Sequence, residues 1–386
     1  MIGVVGGGQL ARMLIQAASK RHIAVAVQTS SSSDPAAEDA HRLVTADPRD
    51  VAGTRRLVEG LSGVTFENEW VNIDALIPLE QRGVCFRPAL AALAPLVDKL
   101  SQRQLLADLS FPTPKWCPLS RISPSQPALL QGWTFPVMAK ASRGGYDGKG
   151  TLILRCVEDL AQLIRSVDPM DWMLEAWVSF ERELAIVVSR DSGGRVRSFP
   201  LVETHQRDQV CDWVLAPAPV DQAVEAMAYN IAASLVTKLN YVGVLALEFF
   251  YGDEGLQVNE IAPRTHNSGH FSIEACSSSQ FDQQLCITAN HPVPDPELLV
   301  PGAMMVNLLG LEPAEVQPID ERLNQLRQLP SAHVHWYGKS PETPGRKLGH
   351  VTVLLDGTSR ASRQQQAEDA LASIRRIWPL CQAKAD

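Results

Sequence analysis

Two acidic residues, Glu248 and Glu260, have the spacing of a metal site built on a hairpin. Glu248 interrupts an apolar run at residues 241–247 and precedes further aromatic residues, which indicates a buried strand with one acid in it. Residues 253–255 end in glycine and predict a three-residue turn, after which the chain returns. With that turn, Glu248 faces Glu260 on the same side of the sheet.

Two like charges held face to face repel each other and lose hydration, so the pair is destabilising unless a cation lies between them. Mg²⁺ suits the position, since it takes one or two protein carboxylates and completes its shell with water and phosphate oxygens. Asn259 adds a neutral oxygen beside the second acid. The alternative is an ordinary hairpin whose acids pair with Arg264 and a lysine.

A glycine-rich segment has the character of a polyphosphate loop. The strand at residues 135–140 ends on Lys140, and residues 142–150 contain four glycines and Lys149 before a strand at residues 151–154. Backbone N–H groups and ammonium groups in such a hairpin can close over phosphates. The segment is not a Walker loop, because a strand follows it. A flexible surface hairpin is the alternative.

Two further segments carry groups suited to a nucleotide or a phosphate. Residues 175–178 follow a strand, and we interpret them as a strand edge whose backbone groups can meet a purine ring. The turn-rich residues 338–347 carry three cations, Lys339, Arg346 and Lys347. This basic loop is a candidate phosphate site, with a solvated surface loop as the alternative.

The first twenty residues predict the opening of a Rossmann-like unit. A strand at residues 2–5 leads through three glycines at residues 6–8 into a helix at residues 9–20, and a strand follows at residues 23–27. Amide groups at such a helix start can hold an anion. A nicotinamide dehydrogenase is disfavoured, because Ala11 replaces the third glycine of the fingerprint and no acid ends the second strand.

The alternation of strands and helices continues to the strand at residues 64–66, which is followed by Glu67. Polar residues at the carboxyl end of a parallel strand are candidate ligand contacts, although a solvated loop fits the same pattern. We predict three units: a Rossmann-like domain at residues 1–97, a central α+β domain at residues 98–295 with a lid at about 115–178, and a smaller β-rich domain at residues 296–386.

Composition narrows the class of protein. The chain has 386 residues, of which 45% are hydrophobic and 20% charged, as in an ordinary soluble globular protein. Its net charge of −8 argues against nucleic-acid binding. Seven cysteines without metal-ligand spacing favour a reduced cytoplasmic protein without zinc. We find no export signal and no apolar stretch long enough to cross a membrane.

Five segments in order resemble the 5-(carboxyamino)imidazole ribonucleotide synthetase family, the ATPase subunit of phosphoribosylaminoimidazole carboxylase, within the ATP-grasp superfamily. They are residues 6–13, 144–150, 259–270, 335–339 and 344–350. The resemblance covers nearly the whole chain. It implies an α/β fold with an N-terminal Rossmann-like pre-ATP-grasp domain, a central ATP-grasp domain and a small C-terminal domain.

The resemblance also implies an activity. Members are cytoplasmic ligases, usually homodimers, that use ATP, Mg²⁺ and bicarbonate to form carboxyphosphate and transfer its carboxyl group to 5-aminoimidazole ribonucleotide. No nucleic acid or membrane takes part. Another ATP-grasp carboxylase, such as a biotin carboxylase-like enzyme, is the alternative within the class. A dehydrogenase and a non-enzymatic nucleotide-binding module are the alternatives outside it.

Site residues follow from the resemblance by position. The ATP contacts implied are Lys99, Lys140, Gly145, Tyr146, Asp147, Gly148, Lys149, Gly150, Thr151, Glu175, Ala176, Trp177, Val178, Glu183, Gln206, Asn259 and Glu260. The metal ligands implied are Glu248 and Glu260. The acceptor contacts implied are Gly8, Gln9, Leu10, Glu67, Arg264, His266, Asn267, Ser268, Lys339, Arg346 and Lys347.

Four residues are expected to take part in the chemistry: Asp147, Lys149, His270 and Lys347. Asp147 is the candidate to take the proton from the attacking amine, and His270 is the alternative. The chain departs from the family pattern at two of the positions carried over. Lys149 stands where the family often has Arg, and Gln206 stands where the family has an ATP-contacting His, with His205 one place away.

Overall fold

The computed structural model describes residues 1–123, 125, 127–144, 150–311 and 318–380. Within them the strands form three sheets, and no described helix has the length and apolar character needed to cross a membrane. The fold is mixed, with one parallel sheet at the N-terminus and two antiparallel sheets after it.

The N-terminal sheet is parallel and has four strands. Its strands are β1 (Ile2–Val5), β2 (Val25–Thr29), β3 (Arg42–Thr45) and β4 (Val64–Phe66), in the order β3-β2-β1-β4. The helices of this part are α1 (Gln9–Lys20), α2 (Val51–Leu57), α3 (Ile73–Gln81) and α4 (Leu90–Leu93). The bounds predicted for β1, α1 and β4 are confirmed, whereas β2 begins two residues later than predicted. An isolated parallel bridge joins Val64 of β4 to Phe86.

A second sheet of four strands carries the glycine-rich hairpin. Its strands are β5 (Trp116–Pro118), β6 (Val137–Ala141), β7 (Thr151–Leu154) and β8 (Trp172–Ala176), in the order β5-β8-β6-β7. Helix α5 (Lys99–Asp108) precedes this sheet, and helix α6 (Val157–Ser166) lies between β7 and β8. Lys140 and Thr151 are paired, so the glycine-rich residues connect β6 to β7 as predicted.

The strand-edge interpretation of residues 175–178 is wrong for its first half. Strand β8 is interior, because Glu175 pairs with Trp116 of β5 on one side and with Met138 of β6 on the other. The backbone groups of an interior strand are used by the ladders on both sides. Only Trp177 and Val178 lie beyond the end of the strand.

The third sheet has nine strands and continues from the centre of the chain into its C-terminal part. Its strands are β9 (Arg182–Arg190), β10 (Val196–Ser198), β11 (Val202–Arg207), β12 (Val210–Ala216), β13 (Gly243–Gly252), β14 (Gly255–Ala262), β15 (Gly302–Leu309), β16 (Ala332–Trp336) and β17 (Lys347–Leu355). The order along the main path is β14-β13-β9-β11-β12-β15-β17-β16, and β10 pairs with β9. The C-terminal strands therefore extend the central sheet through the pairing of β12 with β15.

Helices cover this sheet and pack against its hydrophobic cores. They are α7 (Gln222–Lys238), α8 (Ser272–Ala275), α9 (Gln280–Thr288), α10 (Ile319–Arg327) and α11 (Arg360–Ile377). Helix α7 buries Ala228, Ile231 and Leu235 against β9 and β13. Helix α11 packs Ile374 in the C-terminal core, and Trp378 just after it lies in the same core.

The acidic hairpin has the predicted pair but not the predicted turn. Gly252 pairs with Gly255, whereas the predicted three-residue turn would pair it with Leu256, so the loop has two residues rather than three. A bulge next to Glu248 then shifts the ladder by one residue and leaves Glu248 opposite Glu260. An extra residue in one strand of a ladder produces this shift and bends the strand.

We expect Gly255→Ala to lower the free energy of unfolding by about 1 kcal/mol, because Gly255 has a φ of +78° and L-residues with a Cβ are strained there. No atom lies within 4 Å of an added Cβ, so the backbone conformation alone sets the cost. Gly255→Asn is the matched variant and should lose less, since Asn tolerates the left-handed region. Urea unfolding of the three proteins measures the difference, and equal losses for Ala and Asn would contradict this account.

Candidate functional site

A buried carboxylate joins three elements at the centre of the site. Glu175 on β8 is 2% exposed and receives hydrogen bonds from Arg103 of α5 and, at 2.5 Å, from the Nζ of Lys140 on β6. Lys140 Nζ also donates to Asn259 Oδ1 at 3.2 Å. Arg103 in turn donates to the carbonyl oxygens of Val258 and Asn259 at 3.2 and 2.5 Å.

The charges in this cluster shift the pKa values of Glu175 and Lys140. Burial by itself would raise the pKa of Glu175, but the charges and hydrogen bonds of Lys140 and Arg103 hold it at about 2. Burial lowers the pKa of Lys140, Glu175 opposes this, and the nearby cations Arg103 and Lys99 add to it. The cluster thus contains one carboxylate between two cations, and Lys140 is held at the base of the glycine-rich hairpin.

Arg103 was not among the predicted site residues, although one signal pointed to it. It lies four residues after Lys99 on α5, and residues four apart share one face of a helix. Lys99 Nζ contacts Glu260 Oε2 on β14 at 2.8 Å. Helix α5 therefore directs one cation at the acidic hairpin and a second, Arg103, at Glu175 on β8. Although burial opposes it, Lys99 keeps the pKa of Glu260 below its ordinary value.

Three acids lie along one face of neighbouring strands. Glu248 on β13 pairs with Glu260 on one side and with Ala185 of β9 on the other, so Glu183, two residues before Ala185, shares that face. Burial raises the pKa of Glu183 to about 7, and the charge of Glu248 adds to this, while the N–H of Gln206 opposes it. Like charges at this spacing disfavour ionisation unless a cation compensates them.

The donor set of this face fits Mg²⁺. Glu248 and Glu260 supply paired carboxylates, and Asn259 supplies an amide oxygen near Lys140. Within the described residues no group of three or more His, Cys, Asp or Glu side chains is arranged to hold a metal ion. A hard cation held by two carboxylates, with its other ligands from water and nucleotide phosphates, requires no such group.

His266 links the acidic face to the loop that follows it. Its Nε2 lies 3.1 Å from Glu248 Oε1, while its Nδ1 accepts the N–H of Ser268 at 3.3 Å. The ring of His266 therefore bridges the carboxylate of Glu248 and the backbone of the loop. The loop thereby orients a predicted metal ligand.

Gln280 of α9 holds this loop and was not predicted. It is fully buried; its Oε1 accepts the N–H of His266 at 2.8 Å, and its Nε2 donates to the His266 carbonyl at 2.6 Å. The same amide nitrogen lies 3.1 Å from Nδ1 of His270. No local sequence signal identifies Gln280, since its contacts depend on how α9 packs.

Several predicted residues of the segment 264–270 are buried supports. His270 is 0% exposed, and burial places its pKa well below the ordinary value. Its role as the alternative group that takes the amine proton stays a prediction. Asn267 exchanges two hydrogen bonds with the buried Asn307, at 2.8 and 3.0 Å, so its amide holds the loop on β15. The hydroxyl of Ser268 is 2.9 Å from His266 Nδ1.

The basic loop meets the N-terminal helix. Lys339 Nζ donates to Gln9 Oε1 at 2.5 Å and to the Lys347 carbonyl at 2.8 Å, and lies 5.4 Å from the centre of the Tyr337 ring. The predicted acceptor residues Gln9, Lys339 and Lys347 are therefore together in space. The guanidinium of Arg346 donates to the Pro341 carbonyl within the loop.

A buried polar layer supports this loop. The hydroxyl of Tyr337 is 2.8 Å from Nδ1 of His350, whose ring stacks on His335 at 4.4 Å. His335 Nε2 is 2.7 Å from Glu274 Oε1 of α8. Burial lowers the pKa of His350 well below its ordinary value, so this ring is neutral imidazole beside the basic loop.

Glu67 occupies the start of α1. Its carboxylate accepts the N–H groups of Gly8 at 2.6 Å and Leu10 at 3.1 Å. Burial raises the pKa of Glu67, although these N–H groups and Arg264 oppose the shift. A Cβ on Gly8 would lie 2.4 Å from Glu67 Oε1, so glycine is needed for this approach. The prediction that these amides can hold an anion is satisfied by a side chain of the protein itself.

Arg264 lies beside this acid. Its Nε donates to Glu69 Oε2 at 2.9 Å, and the charge of Glu69 raises the pKa of the guanidinium against the effect of burial. The alternative, in which the hairpin acids pair with Arg264 and a lysine, is found only for the lysine. Lys99 contacts Glu260, whereas the ion pair of Arg264 is with Glu69.

The remaining predicted ATP contacts lie on several elements. Gln206 adjoins a bulge in the pairing of β11 with β12, and His205 beside it stacks on Trp213 at 5.2 Å. Trp177 is 48% exposed. Gly150 follows the glycine-rich segment and Thr151 begins β7. Gly145, Tyr146, Asp147, Gly148 and Lys149 lie outside the described residues.

Three family models match successive parts of the chain. The ribonucleotide synthetase preATP-grasp domain matches residues 1–95, the ATP-grasp domain residues 104–281, and the phosphoribosylaminoimidazole carboxylase C-terminal domain residues 303–364.

Full-length relatives agree with these matches. The N5-carboxyaminoimidazole ribonucleotide synthase of Synechococcus elongatus is 46% identical over 378 residues, which cover 98% of this chain and 95% of the relative. The structure of the synthetase from Thermus thermophilus superimposes with a TM-score of 0.84 at 32% identity and covers 100% of both chains. The structure of the Aspergillus clavatus synthase with ADP and 5-aminoimidazole ribonucleotide has a TM-score of 0.85 at 28% identity and covers 97% of this chain and 98% of the other.

We expect Glu175 to control part of the acid sensitivity of the fold. Its folded pKa of about 2 lies below its ordinary value of 4.5, so its stabilising effect is present above about pH 4.5 and is lost as the pH falls toward 2. The difference corresponds to a contribution on the order of 3 kcal/mol. Glu175→Gln should be less stable at neutral pH and should lack this part of the pH dependence.

Urea unfolding at several pH values between 2 and 7 measures the effect. Glu254→Gln, at an exposed acid of the hairpin loop, is the matched control and should keep the wild-type slope. An unchanged slope in Glu175→Gln would show that other carboxylates cause the acid sensitivity.

Proposed function

The chain belongs to the N5-carboxyaminoimidazole ribonucleotide synthase family, and from this membership we propose the reaction that its site performs. The protein is an ATP-dependent ligase that carboxylates 5-aminoimidazole ribonucleotide in de novo purine synthesis. ATP and bicarbonate give carboxyphosphate and ADP. The exocyclic amine of the ribonucleotide then attacks the carboxyl carbon, phosphate leaves, and one proton is removed from the nitrogen.

One observation carries the proposal most directly. The loop at residues 264–270 joins the acidic face to the rest of the site, because His266 contacts Glu248 while Arg264 contacts Glu69, two residues after the Glu67 that binds the start of α1. Lys339 reaches Gln9 from the basic loop between β16 and β17. A nucleotide side and an acceptor side within one site are what two consecutive transfers require.

On the nucleotide side, the residues act mainly by position and charge. Phosphoryl transfer needs neutralisation of developing negative charge rather than covalent help from the protein. Lys99 and Lys140 supply fixed ammonium groups, and Glu248, Glu260 and Asn259 would hold Mg²⁺, which neutralises phosphate charge when bound. The glycine-rich segment at residues 144–150 would exclude water from carboxyphosphate, with Asp147 taking the proton from the amine.

On the acceptor side, the lysines of the basic loop receive the phosphate of the ribonucleotide. Glu67 already occupies the amides at the start of α1, so Lys339 and Lys347 are the groups that supply positive charge beside Gln9. Carbon–nitrogen bond formation then requires the amine to lie between this cluster and the nucleotide side.

We further propose a homodimer in the cytoplasm, with units at residues 1–97, 98–295 and 296–386. The support for the dimer and the location is the family resemblance. The support for the division is the change from a parallel sheet to antiparallel sheets near residue 98 and the C-terminal core around Trp378. Light scattering during size-exclusion chromatography tests the dimer.

ADP release by the purified protein tests the reaction. With Mg²⁺, ATP and bicarbonate present, 5-aminoimidazole ribonucleotide should give carboxylated product in step with ADP, whereas biotin and small amines should not. ADP release that does not depend on the identity of the acceptor would overturn the proposed acceptor.

We predict that Glu248→Gln and Glu260→Gln each reduce turnover at limiting Mg²⁺ by at least the roughly 10- to 100-fold that is typical of disturbed metal sites. The fold should survive, because the substitution relieves repulsion between paired acids. Glu254→Gln on the same hairpin is the control and should keep ordinary turnover. Ordinary activity of either variant at limiting Mg²⁺ would contradict the metal assignment.

We predict that Lys347→Ala raises the KM for the ribonucleotide about tenfold or more, because a charge-assisted contact to phosphate is lost. The KM for ATP should change little. Lys238→Ala at the exposed end of α7 is the control. Equal increases in both Michaelis constants would count against a phosphate contact and favour a general effect on the fold.

A further inference from the structure

We propose that Arg103 is a positioning residue of the ATP site, which holds Glu175 so that Lys140 stays directed at the polyphosphate and which keeps the buried cluster net positive. The inference rests on the proposed function in one respect, namely that ATP is the ligand facing Lys140. It adds a residue that would act without touching the nucleotide.

The first support is a closed ring of contacts. Arg103 binds one oxygen of Glu175, and the other oxygen binds Lys140 at 2.5 Å. Lys140 then reaches the side chain of Asn259 at 3.2 Å, and Arg103 binds the carbonyl of the same Asn259 at 2.5 Å. The ring connects α5, the sheet that carries the glycine-rich hairpin, and the strand that carries Glu260.

The second support is the charge of the ring. Arg103 is 3% exposed and Glu175 is 2% exposed, so neither charge is strongly screened by solvent. With both cations present, Glu175 shares its charge between Arg103 and Lys140. Without the positive charge of Arg103, Glu175 and Lys140 form a neutral pair, and Lys140 is drawn away from an anionic ligand.

The third support is a neighbour that separates this role from simple packing. Gln102, next along α5 and 6% exposed, also binds β14: its Nε2 donates to the Ile261 carbonyl at 3.0 Å, and its Oε1 accepts the Ile261 N–H at 3.2 Å. Both side chains thus cover the outer edge of β14. Of the two, Arg103 alone contacts Glu175, so a charge effect on ATP should belong to Arg103 and not to Gln102.

Two complementary variants test the proposal. Arg103→Gln keeps hydrogen-bond donors for the β14 carbonyls but removes the charge, whereas Arg103→Lys keeps the charge but lacks the planar fork. Gln102→Met is the matched control, which removes the contacts with Ile261 and leaves the charge ring intact. The Kd of Mg·ATP is measured by calorimetric titration without bicarbonate or acceptor, and urea unfolding of the free proteins is measured in parallel.

The expected result is that Arg103→Gln weakens ATP binding about tenfold, a loss typical of one charge-assisted interaction. Arg103→Lys should stay within about threefold of wild type, since its charge compensates Glu175. Gln102→Met should be less stable but bind ATP like wild type. In steady-state assays Arg103→Gln should raise the KM for ATP and leave the KM for the ribonucleotide unchanged.

Two outcomes of these measurements would contradict the proposal. Unchanged ATP affinity in Arg103→Gln, or equal losses in Arg103→Gln and Gln102→Met, would overturn the proposal. If Arg103→Gln does not fold, Arg103→Lys decides alone, since a roughly tenfold loss there would show that charge is not the cause. Wild-type protein that binds ATP but gives no product with the ribonucleotide would overturn the proposed function without touching this inference.

Discussion

The burial of the Glu175 carboxylate between Arg103 and Lys140 is the interaction on which the site depends. An ionised carboxylate that is removed from water is strongly unfavourable unless it is paired and its oxygens are hydrogen-bonded. Here each oxygen has a cation, and the two cations come from different elements, α5 and β6. Pairing this one charge therefore fixes the sheet β5-β8-β6-β7 against α5. The contacts of Lys140 and Arg103 with Asn259 fix that sheet and α5 against β14.

The acidic hairpin of β13 and β14 shows how far the sequence could predict the site. The apolar run before Glu248 correctly predicted a buried strand, and the pairing of Glu248 with Glu260 is confirmed. The predicted three-residue turn was wrong. The observed turn is shorter by one residue, and a bulge of one residue compensates for the difference. A one-residue slip in register would have turned the acid of one strand to the opposite face. Turn length and bulge position are local backbone choices that residue types at this spacing leave undecided.

Contacts between distant parts of the chain also could not be predicted from the sequence. Strong periodicity predicted α1, the spacing of two acids predicted the acidic pair, and the three cations of residues 338–347 marked the basic loop. The resemblance to a known family added further site residues by position. None of these signals could assign Gln280 to His266 or Asn307 to Asn267, because these amides meet only after α9 and β15 have packed. Arg103 is intermediate, since its spacing from Lys99 on one helix was visible while its partner on β8 was not. The glycine-rich residues 145–149 lie outside the described residues, so Asp147 and Lys149 keep the status of predictions.

The structure changes the interpretation of the glycine turn before α1. A helix start offers partial positive charge and unpaired amides to an anion, which is why the pattern also fits a dinucleotide site. Glu67 takes those amides, and a pyrophosphate could bind there only by displacing a carboxylate that accepts the N–H groups of Gly8 and Leu10. In the proposed function, positive charge for the anionic ribonucleotide therefore comes from side chains. Lys339 of the basic loop meets α1 through Gln9, so a lysine lies beside the helix start whose amides Glu67 already occupies.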